Sequence, residues 1–267
     1  MLEGKVVVIT GASSGIGRAL AIEGLSRGAL VVMAARNTSS MEEAVISFDA
    51  EKYLIVRTDV SLEKDCQRLI EKTVARFGRI DILINNAGIS MRALFDGLDL
   101  EVIDTLMRVN FWGAVYCTKY ALPWLLKSKG SLAGVSSIAG YKGLPGRSGY
   151  SASKFALQGF LECIRIENLK NGLHVLIACP GFTESNIRKT ALAGDGSKQG
   201  ESPRNETRMM KAEDVARHIF RAVAKRKRTL ILTRQGKLTV LLSKLLPGLT
   251  DRLVYNHMAK EPGSPVR

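Results

Sequence analysis

The sequence is short of several things, and each shortage excludes a class of protein. Cysteine occurs four times in 267 residues, as Cys66, Cys117, Cys163 and Cys179, with no CxxC pair. That rules out a disulfide scaffold and reads as buried thiols in a reducing compartment. The three histidines, His174, His218 and His257, are far apart and lack a Cys or carboxylate partner at ligand spacing, so no metal site is expected. His174 opens a strand-like run and reads as structural. Long apolar runs are missing: residues 6–17, for example, fall well short of the roughly 20 apolar residues of a membrane-spanning helix. A strand-like run starts at Lys5 and leaves no room for a signal peptide, so the expected location is cytoplasmic. Acid is scarce, with 25 Asp and Glu against 39 Lys and Arg and a net charge of +14. Such a balance alone would suggest nucleic acid, an anionic membrane or an acidic partner. No nucleic-acid motif with interleaved aromatics is present, which excludes the first.

What is present is an alternation of short β-branched runs with longer periodic segments. Strands are expected over 5–10, 29–35, 53–58, 80–86, 132–137, 173–179 and 229–233, with helices near 16–27, 62–77, 98–126, 150–171 and 212–225. Runs such as VVVIT and HVLIAC are almost wholly apolar, as parallel strands covered on both faces require. The expected fold is therefore α/β: a doubly wound parallel sheet with helices on both faces. No linker or internal repeat divides the chain, so 1–233 reads as a single domain, followed by an appendage over 234–267. Residues 183–211 are polar and read as a mobile lid loop.

The first strand runs into Gly11-Ala12-Ser13-Ser14-Gly15-Ile16-Gly17 and then a helix. Glycines there permit a tight turn, a close backbone approach to pyrophosphate and close helix–sheet packing. The helix N-terminus offers free N–H groups to the phosphates. In a dinucleotide fold an acid ending the second strand would hold the ribose 2′-hydroxyl of NAD, but this strand ends Ala34-Ala35-Arg36-Asn37. A guanidinium at Arg36 can pair with a 2′-phosphate, which points to NADP(H).

Tyr150-Ser151-Ala152-Ser153-Lys154 opens a helix, with Ser137 thirteen residues before Tyr150 at a strand end. Residues i and i+4 share a helix face, so Tyr150 and Lys154 point the same way. An ammonium beside a phenol lowers its pKa from near 10 and suits it to acid–base work on an alcohol or carbonyl. Ser137 can hydrogen-bond the same oxygen.

Taken with Asp59-Val60, Asn85-Asn86-Ala87-Gly88, Asn110 and Pro180-Gly181, these motifs make the chain resemble the classical short-chain dehydrogenase/reductase family over roughly residues 4–233. The resemblance leans toward the steroid-dehydrogenase-like branch and implies a Rossmann-type sheet. It also implies hydride transfer between nicotinamide C4 and an alcohol or carbonyl carbon. By resemblance Asp59 contacts the adenine, with Val60 beside it, and Asn86, Ala87 and Gly88 line the cofactor site. Asn110 holds a water in a proton relay with Lys154, Ser137 orients the substrate, and Tyr150 transfers the proton. Lys154 also holds the nicotinamide ribose. Past Pro180-Gly181, Ser185 fills the slot of a threonine that contacts the carboxamide, and Thr183 replaces a commonly aliphatic residue.

Substrate-pocket residues are expected at Ser90, Met91, Ile138, Tyr141, Leu144, Pro145 and Phe182, mostly apolar, with no cluster of basic groups aimed at the tetrad. That favours a lipophilic carbonyl or alcohol, such as a steroid-like, retinoid-like or acyl compound. The alternatives are a 3-oxoacyl carrier-protein reductase, whose basic surface would recruit an acidic carrier, and a non-catalytic NADPH-sensing or scaffold protein. The resemblance implies a homodimer or homotetramer packed through the helices that begin near Asn110 and Tyr150.

The charge is not spread evenly. Residues 217–260 carry eleven bases against the single acid Asp251, ten of the fourteen net charges. Beside them Leu238, Leu241, Leu242, Leu245 and Leu246 recur at helical spacing, Pro247-Gly248 would end that helix, and 249–258 can form another. Two readings stay open: a helix lying on an anionic membrane surface, or leucines that cover the core or a subunit interface.

Overall fold

The apolar runs become strands of one sheet because each has two faces to bury. The computed structural model describes residues 2–202 and 209–266. Its strands are β1 (Val6–Thr10), β2 (Leu30–Ala35), β3 (Tyr53–Arg57), β4 (Ile82–Asn85), β5 (Ser131–Val135), β6 (His174–Cys179) and β7 (Thr229–Ile231). They pair in the order β3-β2-β1-β4-β5-β6-β7, and every pairing is parallel. All seven expected strands form.

Successive side chains leave a strand on opposite faces. Val7 and Ile9 therefore enter one core and Val8 the other; Ile82 and Ile84 oppose Leu83, and Leu176 and Ala178 oppose Ile177. The first core is closed by α1 (Gly15–Ser26), α2 (Ser39–Val45) and α7 (Ala212–Ala224). The second is closed by α3 (Glu63–Phe77), α5 (Gly113–Lys127) and α6 (Ser148–Glu167). Each fully buried Val, Leu or Ile contributes about 1.5–3 kcal/mol, so these two layers dominate stability. Helix α3 shows the local rules: Glu63 and Asp65 in its first turn, Arg76 in its last, and Gly78 at φ +71° as its left-handed C-cap.

Four details differ from expectation. Helix α2 was not anticipated, although Met41, Ala44 and Val45 at helical spacing supply its buried face. The helix expected over 98–126 is split into α4 (Leu100–Met107) and α5 by a π-helical turn, Arg108–Trp112. Part of the expected lid is tied down: Leu192 N–H donates to Ser90 O at 2.9 Å, Arg92 N–H to Leu192 O at 2.8 Å, and Asp99 N–H to Gly194 O at 2.9 Å. Residues 203–208 of that loop lie outside the described residues. Cys163 is exposed on α6, whereas the other three cysteines are buried.

His174 is structural: its ring nitrogens lie 3.0 Å from Ser131 Oγ and 2.8 Å from Lys227 O, tying β5 to β6 and to the approach to β7. Beyond β7 the appendage forms α8 (Arg234–Leu245) and α9 (Pro247–Ala259). Proline sits at the start of α9, where its missing N–H costs nothing.

Candidate active site

The strand order reverses between β1 and β4, and a crevice at such a point is where doubly wound sheets bind ligands. Here the two loops that flank it are stitched together. The Asn86 amide donates to Thr10 O at 2.9 Å, while the Thr10 hydroxyl accepts from Asn86 N–H and Ala87 N–H, each at 3.0 Å. Gly11 takes φ +67° and Gly15 φ +52°. A Cβ on Gly11 would stand 2.8 Å from Ala87 Cα, and one on Gly17 2.1 Å from Gly11 O. The glycines are thus demanded by close backbone approach. Ser14, at the N-cap of α1, makes no side-chain capping bond, which leaves the first-turn N–H groups to the cleft that Gly15 and Ile16 line.

That cleft, about 710 Å³, crosses the C-terminal ends of the strands from Arg36, Asn37 and Ser40 beyond β2 to Ser137 beyond β5 and Gly181 beyond β6. Of the residues assigned to the cofactor, Gly17 alone lies off its lining, because it packs α1 onto the sheet. Arg36 Nη1 lies 4.0 Å from Asp59 Oδ2. The other Asp59 oxygen accepts from Ser61 N–H at 3.0 Å and Ser61 Oγ at 2.7 Å. Thr183 is buried and its hydroxyl donates to Gly181 O at 3.1 Å.

Tyr150 and Lys154 stand one turn apart on α6 and both line the cleft, as does Ser137. Ser137 and Tyr150 are joined by a side-chain hydrogen bond. Lys154 is 4% exposed, donates from Nζ to Val135 O at 2.9 Å, and lies over the Tyr150 ring, 5.8 Å from its centroid. Burial lowers its pKa to about 8. The π-helical turn directs Asn110 inward, where its amide donates to Ile89 O and Ser153 Oγ at 2.9 Å and its Oδ1 accepts from Ile89 N–H at 2.8 Å. Asn110 lies behind the lining. A Cβ on Gly88 would stand 3.2 Å from Asn110 Oδ1 and 3.3 Å from Lys154 Nζ, so this glycine lets the two approach the cofactor loop.

The Tyr150 phenol differs from the spacing argument. Burial is the largest influence and moves its pKa up from the ordinary 10; the Ser137 hydrogen bond, then Arg147 and Arg188, pull it down. Lys154 donates to the Val135 carbonyl while its Nζ stays 5.8 Å from the centre of the Tyr150 ring. The sequence reading found no basic cluster near the tetrad, yet Arg147, Arg188 and Lys198 all line the cleft. Arg147 donates to Met91 O at 2.7 Å and faces Glu261 at 3.8 Å; Arg188, buried, donates to Thr183 O at 2.7 Å. One signal existed for Arg147, which stands just before the helix that carries Tyr150, at its N-cap. Arg188 sat in a polar loop with no periodicity to place it.

The pocket residues need partial correction. Ser90, Leu144 and Phe182 line the cleft. Met91 is fully buried against Val102 and Leu106, and Ile138 and Tyr141 pack onto the second core, where burial pushes the Tyr141 phenol up to about 12. Pro145 also lies off the lining.

Residues 5–195 match the model of the short chain dehydrogenase family. The chain belongs to the short-chain dehydrogenase/reductase family. It is 36% identical over 267 residues to 11-beta-hydroxysteroid dehydrogenase 1A of Arabidopsis thaliana, covering 95% of this chain and 76% of that protein. It is 34% identical over 268 residues to dehydrogenase/reductase SDR family member 7B of Mus musculus, covering 97% and 83%. Such relatives put this short-chain oxidoreductase in the steroid-dehydrogenase-like branch. Its fold superposes on a short-chain dehydrogenase of Burkholderia phymatum in complex with NAD, with a TM-score of 0.81, 26% identity and coverage of 93% and 95%. A short-chain dehydrogenase of Streptomyces avermitilis gives 0.82, 26%, 96% and 98%.

In this short-chain dehydrogenase, a cation near a phenol favours the phenolate, so losing the cation must raise the pKa. Arg147→Gln is expected to move the Tyr150 titration to higher pH by roughly half a unit or more. The measurement is phenolate absorbance against pH, taken as the difference from a Tyr150→Phe protein. An unchanged midpoint would show that the phenol does not feel Arg147.

Proposed function

We propose that the chain is an NADP(H)-dependent oxidoreductase that moves hydride between the nicotinamide and a carbonyl or secondary alcohol on a lipophilic substrate. Tyr150 is the general acid/base. The observation that carries this reading is that Ser137, Tyr150 and Lys154 meet in the same cleft that the glycine-rich turn lines. The turn suits a dinucleotide phosphate, since a Cβ at Gly11 would fill the space at Ala87 and the start of α1 is uncapped toward the cleft. At the other end Arg36, with a side chain 71% exposed, stands on the lining with Asn37 and Ser40, and no acid ends β2. That set suits a 2′-phosphate better than a bare ribose hydroxyl.

A nicotinamide held in this cleft would supply or accept the hydride. The protein's part is the proton. In the reductive direction Ser137 and Tyr150 hold the carbonyl oxygen with their hydroxyls, and Tyr150 gives its proton to that oxygen. Burial keeps the phenol protonated, which favours the donor role at neutral pH. Lys154 would hold the nicotinamide ribose from the cleft floor, and Asn110, bonded to Ile89 and Ser153, fixes the wall behind it. Val109, Leu144, Phe182, Ile187 and Leu192 give the substrate side its apolar walls, and Arg147 has its charge met by Glu261. These walls support a lipophilic substrate.

The same reading makes the enzyme a cytoplasmic homo-oligomer. Trp112, Phe155 and Ile166 are large apolar residues exposed along the π-helical turn and α6, an apolar face of the kind subunit contacts cover.

Three outcomes are expected. Tyr150→Phe should lower turnover of aldehydes and ketones by ~10²–10⁴-fold while NADPH binding persists; wild-type protein that binds NADPH and reduces no carbonyl would instead indicate a sensor. Arg36→Asp should weaken NADPH binding by roughly 10–100-fold relative to NADH; unchanged relative affinities would remove the 2′-phosphate assignment. Phe155→Glu should yield a smaller species in light scattering, and an unaltered mass would place the subunit contact elsewhere.

A further inference from the structure

Helices α8 and α9 leave a set of leucines exposed to solvent. Their inner face packs on the protein through Gly236, where a Cβ would stand 2.8 Å from Ile138 Cδ1, and through Thr250 and Met258, which are buried. Their outer face carries Leu238, Leu241, Leu245, Leu246, Leu249 and Leu253, between 49% and 67% exposed. Leu238, Leu241 and Leu245 recur at i, i+3 and i+7 on α8, and Leu249 and Leu253 at i and i+4 on α9, so each set forms one stripe, with Leu246 at the junction between the helices. An ordinary surface helix turns such a stripe to the core.

Cations share that outer surface. Lys237 and Lys244 stand four residues before and three after Leu241, hence beside it on the helix. With Arg234 and Arg252 they make four cations on these two helices, and Lys260 caps the second, against one acid, Asp251, which is paired with Lys142. A second copy of this chain would bring like charges together, which opposes self-association through this face. An anionic bilayer satisfies both halves, taking leucines into the acyl boundary and cations among headgroups. Among the described residues no helix is long and apolar enough to cross a membrane.

The two helices also reach the cleft. Gly236 packs α8 on the turn that follows Ser137. The ring of Phe182, which lines the cleft, lies 6.5 Å from the ring of His257 on α9. We propose that the outer face of α8 and α9 docks the enzyme flat on an anionic lipid surface, with the cleft mouth at Phe182 turned toward the lipid. A lipophilic substrate would then enter from the bilayer; that consequence rests on the proposed function, but the docking does not.

The test is co-sedimentation of the full chain with phosphatidylcholine vesicles, with and without phosphatidylserine. Binding is expected to the anionic vesicles alone and to fall as salt rises. Leu241→Asp combined with Leu245→Asp should cut partitioning by roughly tenfold or more, with an unchanged melting temperature and unchanged NADPH affinity. In a Phe182→Trp protein, brominated lipid should quench more fluorescence than in wild type, whose tryptophans lie on α5 and at its start. No binding to anionic vesicles at low salt overturns the proposal. So does attraction to soluble polyglutamate that equals vesicle binding and ignores the leucine changes. A fall in oligomer mass with the leucine changes, without vesicle binding, assigns the face to a second copy. A vesicle-bound Phe182→Trp protein without added quenching overturns the orientation of the cleft. Loss of enzymatic activity with docking intact would bear on the proposed function instead.

Discussion

The hydrogen bonds between Thr10 and Asn86 hold together the two loops between which everything else is arranged. They sit where the strand order reverses, and they keep the glycine-rich turn so close to the Asn86-Ala87-Gly88 turn that a Cβ on Gly11 would collide with Ala87. On one side this fixes the start of α1 and the arginine beyond β2. On the other it places Gly88 against Asn110 and Lys154, so cofactor cradle and proton-transfer residues share one frame. A sheet whose strands bury both faces provides the rigidity that this frame needs.

Within the frame, electrostatics set the direction of chemistry. Burial raises the phenol of Tyr150 and lowers the amine of Lys154, and the two groups are pushed toward their neutral forms together. Arg147 and Arg188 work against the first of these shifts. Arg147 in turn faces Glu261, which Arg92 also approaches at 3.9 Å while donating to Pro262 O at 2.6 Å. The C-terminal end of the described chain is thereby folded onto the wall that carries Tyr150. The phenol is tuned by its burial, by Ser137, and by Arg147 and Arg188, which come from the N-cap of α6 and the loop after β6.

Much of this was legible in the sequence, for identifiable reasons. All seven strands follow from apolar runs with two faces to bury, and the glycine turn follows from a spacing whose steric cause is plain in Gly11 and Gly17. What was not legible depends on distant contacts. The π-helical turn at Arg108–Trp112 has no period of its own, because it is defined by where Asn110 must point. Arg188 is held at the cleft by its side-chain bond to Thr183 O, and Met91, Ile138 and Tyr141 leave it because neighbouring elements offer them core. For the appendage, periodicity predicted helices but could not say which face would meet water.

The central claim is that this cleft brings a nicotinamide and a carbonyl together under Tyr150. It is tested most directly by incubating the enzyme with NADPH carrying deuterium at the transferable C4 position and a panel of lipophilic aldehydes and ketones. The account predicts alcohol products with the deuterium on the carbinol carbon, formed by wild type and not by Tyr150→Phe. Tight binding of the labelled cofactor without deuterium transfer to any carbonyl would contradict it.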